Sequence, residues 1–187
     1  MHRYGTVVLI FAFGFLLGSC GAMADISPVS DGVIGSTEYS HNASYENGNY
    51  QIFWTVADEN IHIGIQGNTT GWVGIGLKPT EMMKDADIIL AGVVDGEMYW
   101  ADSYATGLFG PHPKDTELGG TDDIINLSVT ELDGVTFAEF SRKLDTGDTY
   151  DAVLTDGEEV SFMWAMSTDD DPLFKHNTPK GKGVITL

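Results

Sequence analysis

The sequence predicts an all-β protein, an antiparallel β-sandwich of about ten strands behind an export segment. Three observations predict it. From Asp25 onward no window holds a sustained 3.6-residue apolar period, and short runs alternate apolar and polar residues with period two instead. Those runs are punctuated by Gly, Asn and Asp. Two Asp-Gly pairs, in VDGE (94–97) and LDGV (132–135), stand where consecutive runs need a tight hairpin turn.

In order, DGVIGSTEY (31–39) reads as a first strand. In YQIFWTVAD (50–58), Tyr50, Ile52, Trp54 and Val56 share one face, and Gln51, Phe53 and Thr55 the other. IHIGIQG (61–67) sets Ile61, Ile63 and Ile65 on one side. GWVGIGL (71–77), ADIILAGVVD (86–95), GEMYWADSY (96–104), IINLSVTEL (124–132), GVTFAEFSRKL (134–144), EEVSFMWAMS (158–167) and KGVITL (182–187) complete the series. Runs of this kind pair into two antiparallel sheets packed face to face. The interruption from Ala105 to Asp123, rich in Gly, Pro and Asp, is a loop of the length that carries function or covers a site.

The chain has 187 residues, enough for one domain with a substantial core. Asp and Glu number 28 against 9 Lys and Arg, a formal net charge of -19. That balance excludes a nucleic-acid partner, which needs a basic stripe, and suits an exported protein kept soluble by its charge. Residues 1–24 supply the export signal: Arg3, an uncharged apolar run from Gly5 to Gly18, then small residues. Two exits are present. LGSC (17–20) matches a lipobox that would make Cys20 a lipidated N-terminus; AMA (22–24) matches an ordinary cleavage site before Asp25. The chain's single cysteine falls at the lipobox position, which favours lipidation, and an uncleaved membrane anchor is the third option. The expected location is extracytoplasmic, as a surface lipoprotein or a secreted protein, and residues 25–187 form a domain without disulfides or a cysteine nucleophile.

Hydrolytic chemistry has little support, for there is no G-x-S-x-G and no H-E-x-x-H. TDDDP (168–172) reads as a solvated turn, since its spacing does not reproduce a calcium loop. His41, His62 and His112 read as surface or internally satisfied residues. His176, in the loop entering the last strand and close to Phe174, read alone is also a plain loop residue. Met82 and Met83 are unusual, a pair of thioethers in a polar turn ahead of a strand.

The succession DGVIGSTEY, FWTVADENIHIGIQGNTTGWVGIGLKP, MKDADIILAGVVDGEMYWADSYATG, TFAEFSRKLDTGD and WAMSTDDDPLFKH resembles the DOMON domain, the module shared by dopamine beta-monooxygenase and the cytochrome domain of cellobiose dehydrogenase. The resemblance covers nearly all of residues 25–187. Each fragment alone is weak, and their order is what is specific.

The resemblance implies an immunoglobulin-like β-sandwich. In the haem-binding members it implies a b-type haem between a Met and a His, which fall here on Met83 and His176. Methionine opposite histidine favours Fe(II), and two filled axial positions suit one-electron transfer better than oxygen binding. Trp72, Tyr104, Trp164 and Phe174 are candidate apolar walls, and Arg142 is a candidate propionate partner, with a salt bridge to a nearby aspartate as its alternative. The absence of C-x-x-C-H makes such a haem non-covalent. The expectation is therefore an exported electron-transfer protein that is not itself an enzyme, acting with a basic redox partner. The alternative is a haem-free module binding a carbohydrate or another small ligand, with Tyr99, Trp100 and Asp102 as its candidates.

Overall fold

Asp95 and Gly96, with φ of 52° and 82°, and Asp133 and Gly134, with φ of 53° and 83°, turn the chain back in two tight hairpins. Paired positive φ is what a two-residue connection between right-twisted strands demands, and Asp-Gly adopts it at low cost. In the computed structural model, which describes residues 27–172 and 175–187, ten strands follow: β1 (His41–Tyr45), β2 (Tyr50–Ala57), β3 (Asn60–Gly67), β4 (Val73–Leu77), β5 (Asp87–Val94), β6 (Glu97–Tyr104), β7 (Ile125–Leu132), β8 (Val135–Lys143), β9 (Glu159–Met166) and β10 (Lys180–Thr186). One helical turn, α1 (Asp115–Leu118), interrupts the long loop.

All pairings are antiparallel. One sheet runs β1-β2-β3-β8-β7 and the other β10-β9-β4-β5-β6. The core lies between them, where Ile52, Ile63, Ile65 and Phe140 of the first sheet meet Ile75, Ile89, Phe162 and Trp164 of the second. The fold class is the one the alternation predicts.

The first strand differs. Residues 31–39 are not a strand, and β1 is formed by His41–Tyr45. Carboxylates take the place of a ladder: Glu139 Oε2 accepts from Gly32 N at 2.7 Å, and Glu38 accepts from Val29 N and Gly35 N at 3.0 and 2.8 Å. Backbone donors satisfied in this way have no need of a neighbouring strand. The segment instead covers the outer face of the first sheet, where Tyr39 donates to Glu139 Oε1 at 2.9 Å and packs its ring 6.0 Å from that of Phe53. Among the described residues no helix is long and apolar enough to cross a membrane. The export segment 1–24 with Cys20, and Phe174, lie outside the described residues.

Candidate functional site

With the first sheet's outer face covered, the outer face of the second is the one to examine. Pleating sends Val73, Ile75 and Leu77, Ile89 and Ala91, and Phe162, Trp164 and Met166 into the core. The alternate positions face outward. Gly74 pairs with Leu90 and Ala165, Gly76 pairs with Ile88 and Met163, and Ala101 and Ser103 of β6 continue the same rows. A Cβ on Gly74 would lie 2.4 Å from Leu90 Cδ2, and one on Gly76 2.8 Å from Met163 Cε. Leu90 and Met163 thus lie over the two glycines, and the face is a shallow apolar trough.

Met83 closes one end of it. Its turn is stitched to the far side of the sheet, with Asp85 N donating to Ala105 O at 2.8 Å and Ala105 N to Ala86 O at 3.0 Å. Met83 is half-buried against Ala86, Ile88 and Ala105, a cluster also touched by Leu90 and Met163. Met82, at φ 53°, is 45% exposed. Of the two thioethers, Met83 is the one that packs on this face.

His176 belongs to the loop 167–179, which rises from the opposite end. Ser167 N donates to Trp72 O at 2.9 Å, and Asn177 Oδ1 accepts from Thr168 N at 3.0 Å, so the loop is tied both to β4 and to itself. His176 is half-buried; burial lowers its pKa, and the charge of Lys180 acts in the same direction. The long loop delivers a second imidazole. Tyr104 N donates to Pro113 O at 3.1 Å and Lys114 bridges to Ser103, which lays residues 113 and 114 along the edge of β6. His112 follows from that placement: burial and the charge of His176 lower its pKa, and its Nδ1 is buried without a partner. Two neighbouring imidazoles kept neutral have lone pairs free for a metal. The sequence reading treats His112 as a surface residue, and its position between Pro111 and Pro113 carries no signal of this proximity.

The other predicted residues divide. Trp72 stands at the outward-facing position just before β4, is 4% exposed and leaves Nε1 without a partner. Tyr104 departs from the expectation of a pocket wall: in register with Asp87 it has the core-facing parity, opposite to Ala101 and Ser103, and it donates to Asp85 Oδ1 at 3.2 Å and meets Tyr150 edge-on at 5.3 Å. Trp164 and Arg142 require correction. Trp164 stacks on Tyr50 inside the sandwich, centroids 4.7 Å apart, because it shares the core-facing parity of Phe162 and Met166. The outward wall of β9 is Met163. Arg142 is wholly buried between the sheets, its Nη2 2.8 Å from Asp87 Oδ2 and its Nη1 3.7 Å from Asp151 Oδ2. Its charge is already engaged there, away from the trough.

Other cations border the trough. Lys180 and Lys182 alternate along β10 opposite Ala165 and Met163, Lys114 bridges to Ser103, and Lys175 acts on His176. Four of the nine basic residues of a chain with net charge -19 therefore gather about one face. The carbohydrate candidates do not form one platform. Trp100 donates to Asp122 Oδ2 at 3.0 Å, Asp102 is buried, and Tyr99 is on the opposite parity, its ring beside Gly92.

Comparison with known proteins agrees with the fold. The chain is 32% identical over 123 residues to DBH-like monooxygenase protein 1 of Mus musculus, covering 66% of this chain and 19% of that protein. It is 32% identical over 133 residues to the Homo sapiens protein of the same name, covering 71% and 21%. The chain thus spans about a fifth of the length of these relatives. Its fold is similar to the cytochrome domain of Myriococcum thermophilum cellobiose dehydrogenase, with a TM-score of 0.55 at 13% identity over 79% of this chain and 81% of that one. It is also similar to the cytochrome b domain of pyranose dehydrogenase from Coprinopsis cinerea, with a TM-score of 0.52 at 14% identity over 73% and 75%. The DOMON domain matches residues 46–167, well over half the sequence. The chain belongs to the DOMON domain family.

Proposed function

We propose that this protein is an exported electron carrier that holds a b-type haem in the trough of the second sheet, with Met83 and His176 as axial ligands. What supports the proposal is a half-buried thioether, Met83, packed on an apolar, small-residue face, together with a half-buried imidazole, His176, on a loop tied to the same sheet through Ser167 and Trp72. A flat macrocycle needs a surface without ridges, and Gly74, Gly76, Ala101 and Ala165 supply one. Such a group would supply reversible one-electron chemistry at iron. The chain's own residues would do the rest. Leu90, Ile88 and Met163 would exclude water, Trp72 would border one end, and Lys180 and Lys182 would take over the pairing with carboxylates first expected of Arg142. His112, next to His176, is positioned to hydrogen-bond to it or to compete with it for the metal.

Held by both Met83 and His176, such a group would pass electrons rather than transform a substrate, and we read the protein as a carrier and not an enzyme. The surplus of acids favours a basic redox partner. The test is the visible spectrum of protein purified after expression with haem available, as isolated and after dithionite. A sharpened Soret band with distinct α and β bands, lost or changed to high spin in Met83→Ala and His176→Ala, supports the assignment. A featureless visible region that persists after haem is added in vitro overturns it and leaves a small-ligand module. A low-spin spectrum unchanged by His176→Ala but lost in His112→Ala moves the ligand to His112.

A further inference from the structure

A second cluster lies on the other side of the same sheet, and it is independent of any haem. Asp87 on β5 and Asp102 on β6 share the core-facing parity of Ile89, so their carboxyls enter the space between the sheets at one end of the sandwich. Asp151 arrives from the loop between β8 and β9, and one oxygen from each of the three lies within 4.8 Å of the others. Asp115, in α1 on the long loop, stands near enough to act electrostatically on Asp102, though outside the group of three within 4.8 Å; it is fully buried and neither of its carboxylate oxygens has a partner. Its charge raises the pKa of Asp102, and those of Asp151 and Asp87 raise its own.

Part of this cluster is explained by the protein. Asp87 Oδ2 accepts from Arg142 Nη2 at 2.8 Å and from Ala152 N at 3.0 Å, and Asp102 Oδ2 accepts from Asp123 N at 2.9 Å. The remaining oxygens are not explained. Asp87 Oδ1, Asp102 Oδ1 and both oxygens of Asp115 are buried and unpaired. Four carboxyls against one guanidinium leave an excess of negative charge where water cannot screen it, and burial, together with the neighbouring carboxylates, raises Asp102 to about 8 and Asp115 to about 7. Buried acids of this kind either take up protons or hold a cation.

We propose that Asp87, Asp102, Asp115 and Asp151 form a binding site for one divalent cation, Ca2+ by preference. The donor set is carboxylate oxygen throughout, with no imidazole or thiolate, which suits a hard cation and disfavours Zn2+. The four ligands come from two strands and two loops, a site of moderate rigidity with several oxygens per ligand, which matches Ca2+ better than the strict octahedron of Mg2+. Binding would tie the long loop, through Asp115, to the sheet that it crosses. The same loop carries His112 three residues earlier, so the cation would also hold one border of the trough.

The test is calorimetric titration of the chelator-treated protein with Ca2+, alongside thermal unfolding with and without the ion. The expected result is one saturable site per chain and, with Ca2+ at 100 times its Kd, a midpoint raised by about 5–10 °C. Asp115→Asn, nearly isosteric, should weaken binding by tenfold or more while unfolding in chelator at the same or a higher temperature, since it relieves repulsion. Asp102→Asn should behave alike, and circular dichroism reports whether each variant is folded. Asp170→Asn, in the exposed turn, should bind as the parent does. Absence of saturable binding at millimolar Ca2+, undiminished binding by a folded Asp115→Asn, or loss of binding in Asp170→Asn would each overturn the proposal; the first would mean that protons neutralise the cluster.

Discussion

Arg142 on β8 and Asp87 on β5 join the two sheets through an Nη2–Oδ2 contact of 2.8 Å in which both side chains are out of solvent. The guanidinium also donates to Ala152 O at 2.8 Å, so one residue anchors three segments. Removing it leaves the acids behind it with no counter-charge. Arg142→Met should therefore cost about 3–5 kcal/mol in urea unfolding, the range for breaking a buried pair from one side. Arg142→Met combined with Asp87→Asn should recover a good part of that loss. A single variant as stable as the parent would show that the pair contributes no stability.

His62 predicts a pH dependence. It faces away from the core on β3, between Thr55 and Ser141 in register, and the covering segment leaves it 7% exposed with Nδ1 unpaired. Burial lowers its pKa below the ordinary value of 6.5. Between its folded pKa and 6.5 the unfolded chain then binds more protons, so stability is complete above 6.5 and falls as the pH drops through that window. His112 and His176 are lowered in the same direction and add to the slope, while the raised pKa values of Glu139 on the same outer face and of the buried Asp87, Asp102, Asp115 and Asp151 act oppositely, above the ordinary carboxylate range. On going from pH 7 to pH 5 the urea midpoint of His62→Gln should shift toward greater stability relative to that of the parent, whatever the sign of the parent's own change; identical changes would remove His62 from this account.

Much of the fold was legible because alternation and Asp-Gly turns are local. The strand expected at 31–39 failed because its backbone partners, Glu38 and Glu139, are side chains, and the decisive one is a hundred residues away. The same alternation that located β9 also contained the answer to Trp164: Met163 and Trp164 are neighbours in sequence and must face opposite sides, yet an aromatic residue read without its parity looks like a pocket wall. The pair Met82 and Met83 stood out from its odd setting in a polar turn, but that setting did not show which of the two packs on the sheet. His112 and the buried aspartates were not legible, since their meaning depends on how loops from separate parts of the chain fall together.

Gly76 tests the shape of the trough. A Cβ there meets side chains and no backbone: Met163 at 2.8 Å to Cε and 3.0 Å to Cγ, and Ile88 Cγ1 at 3.3 Å. Gly76→Val should therefore be folded, with an overpacking cost of about 1–3 kcal/mol, while raising a ridge where a flat ligand would lie. Haem titration should show at least a tenfold loss of affinity in this variant. Unchanged affinity would place the ligand elsewhere on the protein.

Charge makes two opposite demands on the same border. The net charge of -19 should attract a basic redox partner from a distance, so the second-order rate of electron exchange with a small basic redox protein should fall by about tenfold or more as ionic strength rises from roughly 0.01 to 0.5 M. Lys180 and Lys182 oppose that attraction and, in the proposed site, pair with the carboxylates of the bound group. Replacing both with Gln should then weaken haem binding by roughly 2- to 30-fold, as expected for two exposed ion pairs, and yet raise the association rate of whatever haem-loaded protein remains. A variant that loses haem and also reacts more slowly would mean that these lysines face the partner, and rates unaffected by salt would rule out electrostatic steering.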